Sequence, residues 1–190
     1  MQIQFATQSY KSESRQLSSQ RCLNFYAEQQ PRSAKTEVAV FGVPGIADFT
    51  TVGTGPIRGG HFMGDTAYVV SGAFLYSIAE DGAAVRLGGQ ISGTGIVSMD
   101  NNGTELVITN GTNGYIYSAD AGFRLITDAD FAAANTVSFI DSYFAFDEKD
   151  TNQFFISDSL DGATYSDLFG SAETKADHVV AVHNLLQVLY

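Results

Sequence analysis

The stretch Val97-Ser98-Met99-Asp100-Asn101-Asn102-Gly103-Thr104-Glu105-Leu106-Val107-Ile108-Thr109-Asn110-Gly111-Thr112-Asn113-Gly114-Tyr115-Ile116-Tyr117 packs three short apolar runs and two Asn/Gly turns into a single unit. Asp, Asn and Gly tolerate the positive φ that hairpin turns require, so each turn lets the flanking runs pair antiparallel. The same order recurs downstream: Val137-Ser138-Phe139, Tyr143-Phe144-Ala145-Phe146, then Phe154-Phe155-Ile156. Upstream, Gly60-His61-Phe62, Tyr68-Val69-Val70 and Phe74-Leu75-Tyr76 form a weaker copy. A fourth copy opens at Val180-Ala181-Val182 and continues through Leu185-Leu186-Gln187-Val188-Leu189. A period of about forty residues with three or four short strands per unit is the pattern of propeller blades. The expected fold is therefore all-β: a β-propeller of about three and a half blades, incomplete at Tyr190 and preceded by an extended N-terminal arm. An open ring of this kind should leave an exposed strand edge over residues 177–190. Val97, Met99, Val137 and Phe139 are expected to face the cores between blades.

Composition points the same way. The chain of 190 residues is rich in Gly, Tyr, Phe, Thr and Val, has no Trp, and shows no long apolar stripe at helical spacing. No segment approaches the roughly twenty apolar residues that span a bilayer, so no membrane association is expected. The polar start Met1-Gln2-Ile3-Gln4 lacks the apolar centre of a signal peptide. The single Cys22 cannot pair within the chain, and free cysteine is most often a small buried apolar residue.

Two zones differ in charge. Residues 1–36 form a Gln/Ser-rich segment, expected to lie extended against whatever surface orders it, and residues 37–190 form the front of the propeller domain. Residues 1–40 carry five basic and three acidic side chains, a net of +2, which leaves −13 of the overall −11 for residues 41–190. A surface so acidic repels phosphate, so the repeat region is a poor candidate for gripping nucleic acid; its charge suits plain solubility, or a passage that double-stranded DNA slides through without specific binding. The arm's favoured neighbour is another acidic surface, which makes Arg15, Arg21 and Arg32, with Phe25 and Tyr26 as apolar anchors, the expected interface residues.

Three constellations carry possible chemistry. The carboxylate-rich loops around Asp100, Glu105, Asp120, Asp128, Asp130, Asp147, Glu148 and Asp150 hold oxygen ligands, but lack the length and spacing of a calcium loop, and turn-forming Asp and Asn account for them without metal. Ser159-Leu160-Asp161-Gly162-Ala163-Thr164-Tyr165 resembles the Asp-box turn of sialidase-type propellers, a feature of fold and not of catalysis. Arg58, Arg86 and Arg124 occur once per unit, as a carboxylate-binding triple would, and are otherwise read as surface or interface arginines. His61, His178 and His183 do not have metal-site spacing. Asp128-Ala129-Asp130-Phe131-Ala132-Ala133-Ala134 is expected to make one helical turn. No cofactor, no metal and no catalytic residue is expected; the alternative function is a glycan-binding or sialidase-like propeller, which the three arginines would serve by converging on one pocket.

The order of short motifs resembles a known family. Arg21-Cys22-Leu23-Asn24-Phe25-Tyr26-Ala27-Glu28, Gly42-Val43-Pro44-Gly45, Gly55-Pro56-Ile57-Arg58-Gly59, Gly93-Thr94-Gly95, Val97-Ser98-Met99 and Gln153-Phe154-Phe155-Ile156-Ser157 follow one another as in the phage packaged-DNA stabilisation proteins, tail-hub components of short-tailed bacteriophages. The resemblance implies a non-enzymatic structural virion protein, present in the host cytoplasm during assembly. It implies a homo-oligomeric ring below the portal and its adaptor, which retains packaged DNA and attaches tailspike, fibre or needle proteins.

Overall fold

The computed structural model describes residues 10–11, 19–20, 23–31, 38–172, 177–185 and 188–189, and among them every regular element is a strand. The chain divides into two compact units, Met1–Asp48 and Phe49–Tyr190.

In the first unit, β1 (Tyr10–Lys11) pairs with β2 (Ser19–Gln20), and β3 (Phe25–Gln29) pairs antiparallel with β4 (Val38–Gly42). The second ladder sets Tyr26 opposite Phe41, their rings stacked at 5.6 Å. Part of the expected extended arm is thus a ladder strand: Val38-Ala39-Val40-Phe41 presents it with a β-prone partner, and aromatic cross-strand pairing favours the register.

The second unit is a succession of antiparallel meanders. The first blade is β5 (Ile57–Met63), β6 (Thr66–Ser71), β7 (Phe74–Ile78) and β8 (Ala84–Gly88). The second is β9 (Ser98–Asn101), β10 (Glu105–Thr109), β11 (Gly114–Ser118) and β12 (Gly122–Leu125). The third is β13 (Val137–Ile140), β14 (Tyr143–Asp147), β15 (Gln153–Asp158) and β16 (Asp161–Ser171), followed by the pair β17 (Asn184–Leu185) and β18 (Val188–Leu189). The propeller architecture expected from the repeat is the one observed.

The turns follow their residues. In the β9–β10 hairpin the Asn101 side chain accepts the Gly103 amide, and Gly103 sits at φ 92°, a conformation open to residues without Cβ. Asn110 closes the β10–β11 hairpin by accepting the amides of Thr112 and Asn113 at 3.0 and 2.8 Å. At Asp128 the carboxylate accepts the Asp130 amide at 2.9 Å, and the segment to Ala134 is a turn followed by irregular chain where one helical turn was expected. An Asp that caps its own turn competes with helix formation.

Two cores lie between consecutive blades. Tyr68, Val70, Leu75, Ile91, Leu106, Ile108 and Tyr115 fill the first, with Val97 and Met99 packed against it. Val107, Ile116, Ile126, Ala134, Val137, Phe144, Phe146, Phe155 and Tyr165 fill the second, with Phe139 beside it. All four residues expected at these cores are there. On β10, Leu106 and Ile108 face one neighbour and Val107 the other, which is why the run is apolar throughout instead of alternating. Gly162 lets blades two and three approach closely: a Cβ there would stand 2.6 Å from Val107 Cγ2 and 3.0 Å from Phe144. Phe131, in the irregular chain after β12, stands edge-on to Phe146, Phe155 and Tyr165 at 5.1–5.5 Å between ring centroids.

The fourth copy departs from expectation in detail. Val180-Ala181-Val182 is not a ladder strand, and Asn184–Leu185 and Val188–Leu189 are two separate strands that pair antiparallel with each other.

Candidate functional surfaces

The first strands of successive blades lie side by side without forming a continuous ladder, and their backbone donors are met by side chains. Ser98 Oγ accepts the Val137 amide at 3.1 Å, and Asp100 Oδ2 accepts the Phe139 amide at 2.7 Å. One unit later Thr136 Oγ1 accepts the Val182 amide and Ser138 Oγ the Asn184 amide, both at 2.9 Å. The Asn184 side chain donates to the Phe139 carbonyl at 3.0 Å. Between the first two blades the Val97 amide donates to the Arg58 carbonyl, and Asn101 reaches His61 and the Phe62 carbonyl. These seams bind blade to blade where a buried N–H without an acceptor would cost stability.

The acidic side chains expected in turns are largely committed to such work. Glu105 Oε2 accepts the Gly162 amide at 3.0 Å across blades, and Asp128 Oδ2 accepts the Tyr165 amide at 3.3 Å. The fully buried Asp147 takes the Thr136 amide at 2.6 Å, its hydroxyl at 2.8 Å and Asn135 Nδ2 at 3.1 Å. Asp161 accepts the Ala163 amide and the Thr164 hydroxyl, both at 2.8 Å, the self-capped turn expected from the Asp-box likeness. Among the described residues no three His, Cys, Asp or Glu side chains assemble as a metal site. Burial, followed by the charges of Asp161, Asp128 and Glu105, pushes the Tyr165 hydroxyl far above its usual range, and it donates to the Gly162 carbonyl at 2.9 Å. Burial, then Tyr117, also raises Tyr68.

The three arginines do not converge. Arg86 lies on the outer strand β8, its guanidinium 3.4 Å above the Phe74 ring, and Arg124 lies on the outer strand β12 of the next blade. Arg58, on the inner strand β5, is no surface arginine: with 5% of its area exposed it donates to the carbonyls of Gly95, Gly72, Ile91 and Ser92 at 2.6–3.0 Å. Composition hides this role, since nothing local distinguishes a clamp from a surface cation. The serines of the seams had a signal: the pairs Val97-Ser98 and Val137-Ser138 repeat one period apart.

Of the expected interface residues, Phe25 and Tyr26 are on β3 and expose 56% and 49% of their surfaces. Arg15, Arg21 and Arg32 lie outside the described residues, as does Cys22. Leu23, Val38, Val40, Phe41 and Val43 extend the exposed apolar surface of the hairpin.

The family model of Bacteriophage P22 Gp10, beta-propeller, matches residues 1–190. This chain belongs to that family. The Gp10 family is the one whose motif order the sequence resembles, and it carries with it packaged-DNA stabilisation and the propeller fold. No curated protein matches the sequence. Among solved structures, the N-terminal domain of Nup159 is similar at 15% identity and a TM-score of 0.48, over 82% of this chain and 40% of that one. The Neurospora crassa Pan2 WD40 domain is similar at 12% identity and a TM-score of 0.39, over 75% of this chain and 42% of that one.

Proposed function

We propose that this Gp10-family chain is a structural subunit of a phage tail hub. Several copies form a ring below the portal and its adaptor, retain packaged DNA and offer attachment points to tailspikes, fibres or a needle. The role is mechanical, with subunit contacts and no covalent chemistry. Membership of the family over residues 1–190 is the observation that carries this reading. The charge of −13 over residues 41–190 supports a surface past which DNA moves without adhering. Residues 1–36 act as the arm that reaches the acidic propeller of the next copy, with Arg15, Arg21 and Arg32 pairing with its carboxylates and Phe25 and Tyr26 burying against it. A two-stranded ladder such as β3–β4 is marginal by itself, and its exposed apolar side chains favour a covered location.

The test is made on phage particles. Particles assembled without this chain should fill with DNA and then lose it, read as nuclease-sensitive DNA in purified heads. Heads that keep nuclease-resistant DNA at the wild-type level would overturn the reading.

A further inference from the structure

The outer part of the third blade carries a groove whose lining is both apolar and acidic. Phe155 on β15 and Leu168 and Phe169 on β16 supply the apolar side. Asp130 from the chain after β12, Glu148 from the turn after β14 and Asp167 on β16 supply the acidic side, and no basic side chain lines it. Its volume is about 190 Å³. That is below the roughly 300–1,000 Å³ of small-molecule sites and suits one long side chain.

The ladder itself opens this groove. Phe155 lies opposite Phe169 and Ser157 opposite Tyr165, so Ser166, Asp167 and Leu168 share the single partner position of Ile156. Three residues against one is a bulge, and a bulge re-aims the side chains it carries. Asp167 sits at φ 50°, a left-handed conformation uncommon for a residue with a Cβ, and next to it the Ser166 hydroxyl donates to Asp158 Oδ1. Leu168 and Phe169 keep 50% and 63% of their surfaces exposed on this outermost strand. Among the described residues the Asp130 and Asp167 carboxylates have no hydrogen-bond or salt-bridge partner, whereas Asp128, Asp147 and Asp161 are committed to amides of their own blade. Two uncommitted carboxylates beside exposed apolar side chains complement a cation on an apolar stem.

We propose that this groove receives the N-terminal segment of a second copy, with Arg21 entering between Asp130 and Asp167 and the apolar side chains after it lying over Leu168 and Phe169. The inference rests on the arm crossing between copies and names the surface that receives it. Charge selects the occupant: residues 1–40 carry a net of +2 and residues 41–190 a net of −13, so the chain's own basic segment complements the acidic rim. Of the arm's arginines, Arg21 is the one followed closely by exposed apolar residues, Leu23, Phe25 and Tyr26. Ser14 and Gln16 flank Arg15, and Pro31 and Ser33 flank Arg32. A guanidinium fork bonds carboxylates through paired N–H groups while its stem covers apolar surface, a combination that recurs at interface anchors.

The single cysteine, Cys22, adjoins Arg21 and makes the contact testable in the full chain. Under mild oxidation, Leu168→Cys should link to Cys22 of another copy, seen as a dimer on a non-reducing gel and located by peptide mass spectrometry. Val85→Cys and Leu125→Cys, at exposed positions on the outer strands of the first two blades, should link about tenfold less, because only docking raises the local concentration of Cys22. Preferred linkage at position 85 or 125 would overturn the groove and leave an arm that crosses and docks elsewhere. A linked species that runs as a monomer would overturn both, since the segment then lies on its own propeller. No linkage at any of the three positions would overturn the groove; the arm reading falls with it only where assembly is also indifferent to deletion of residues 1–20. A second variant, Asp130→Asn with Asp167→Asn, removes both charges without breaking a hydrogen bond of either carboxylate, and asparagine tolerates the left-handed φ at position 167. Its self-association, measured by sedimentation at low salt, should weaken about fivefold and become less sensitive to salt. Association equal to that of the wild type at every salt concentration would overturn the pairing.

Discussion

A guanidinium with 5% of its surface left to solvent would ordinarily be matched to a carboxylate, and Arg58 is instead matched to four carbonyls. Its planar fork gathers the β6–β7 turn and the chain between β8 and β9 onto the inner strand, a task that suits arginine better than lysine. Arg58→Met should therefore cost about 3 kcal/mol, because the stem's volume is kept but buried carbonyls lose their donors. Arg58→Lys should restore part of that, measured as urea midpoints. Tyr165 gives a pH dependence. Its hydroxyl is raised above the ordinary value of about 10, so the folded state favours the protonated form. That contribution is fully present below about pH 10 and is lost as pH rises beyond it. The denaturation midpoint should fall above about pH 10, and Tyr165→Phe should flatten this fall while costing about 1 kcal/mol at neutral pH through the lost bond to Gly162.

Seams and turns are where elements acquire their roles. Ser98 and Ser138 stand at equivalent places on β9 and β13, and each accepts an amide from the following unit. Ser98→Ala and Ser138→Ala should each destabilise by about 1 kcal/mol, and the double variant should show the sum, since the amides served belong to different segments. Guanidinium unfolding of the two single variants and the double variant checks this; a strong departure from additivity would mean that the seams act as one network. The strands of blades two and three are legible in the sequence because short apolar runs alternate with Asn/Gly turns. The irregular segment from Asp128 to Ala134 was not, because its composition suits a helix. What overrides that propensity is Asp128, which caps its own turn, and Phe131, which inserts among Phe146, Phe155 and Tyr165. The continuity of Leu185–Leu189 misleads in the same manner, since apolar runs do not announce where a hairpin folds back.

For the whole molecule, the proposed ring would set a basic N-terminal segment, net +2 over residues 1–40, against an acidic remainder, net −13 over residues 41–190. If residues 1–36 cross to the next copy, deleting residues 1–20 should weaken ring formation at low salt, and moderate salt should weaken it in the intact chain, because screened charges attract less. Sedimentation of the intact and shortened chains under both conditions reads the result. Assembly that responds neither to deletion nor to salt would remove the arm from the interface.

The sequence by itself determined the repeat, the all-β class, the apolar positions of the two inter-blade cores and the self-capped turns, because each depends on residues within a few positions of one another. The order of short motifs also pointed to the family. Tertiary structure decided what Arg58, His61, Glu105 and Asp100 do. Their partners lie far along the chain, as Asp100 does from Phe139 and Glu105 from Gly162, and only the stacking of one blade on the next brings them within hydrogen-bond reach. It also separated Arg58 from Arg86 and Arg124, because inner and outer strands of a blade are kept apart by the two strands between them. A polar side chain advertises its chemistry in the sequence, but which amide or carbonyl it satisfies is settled by the packing that buries both.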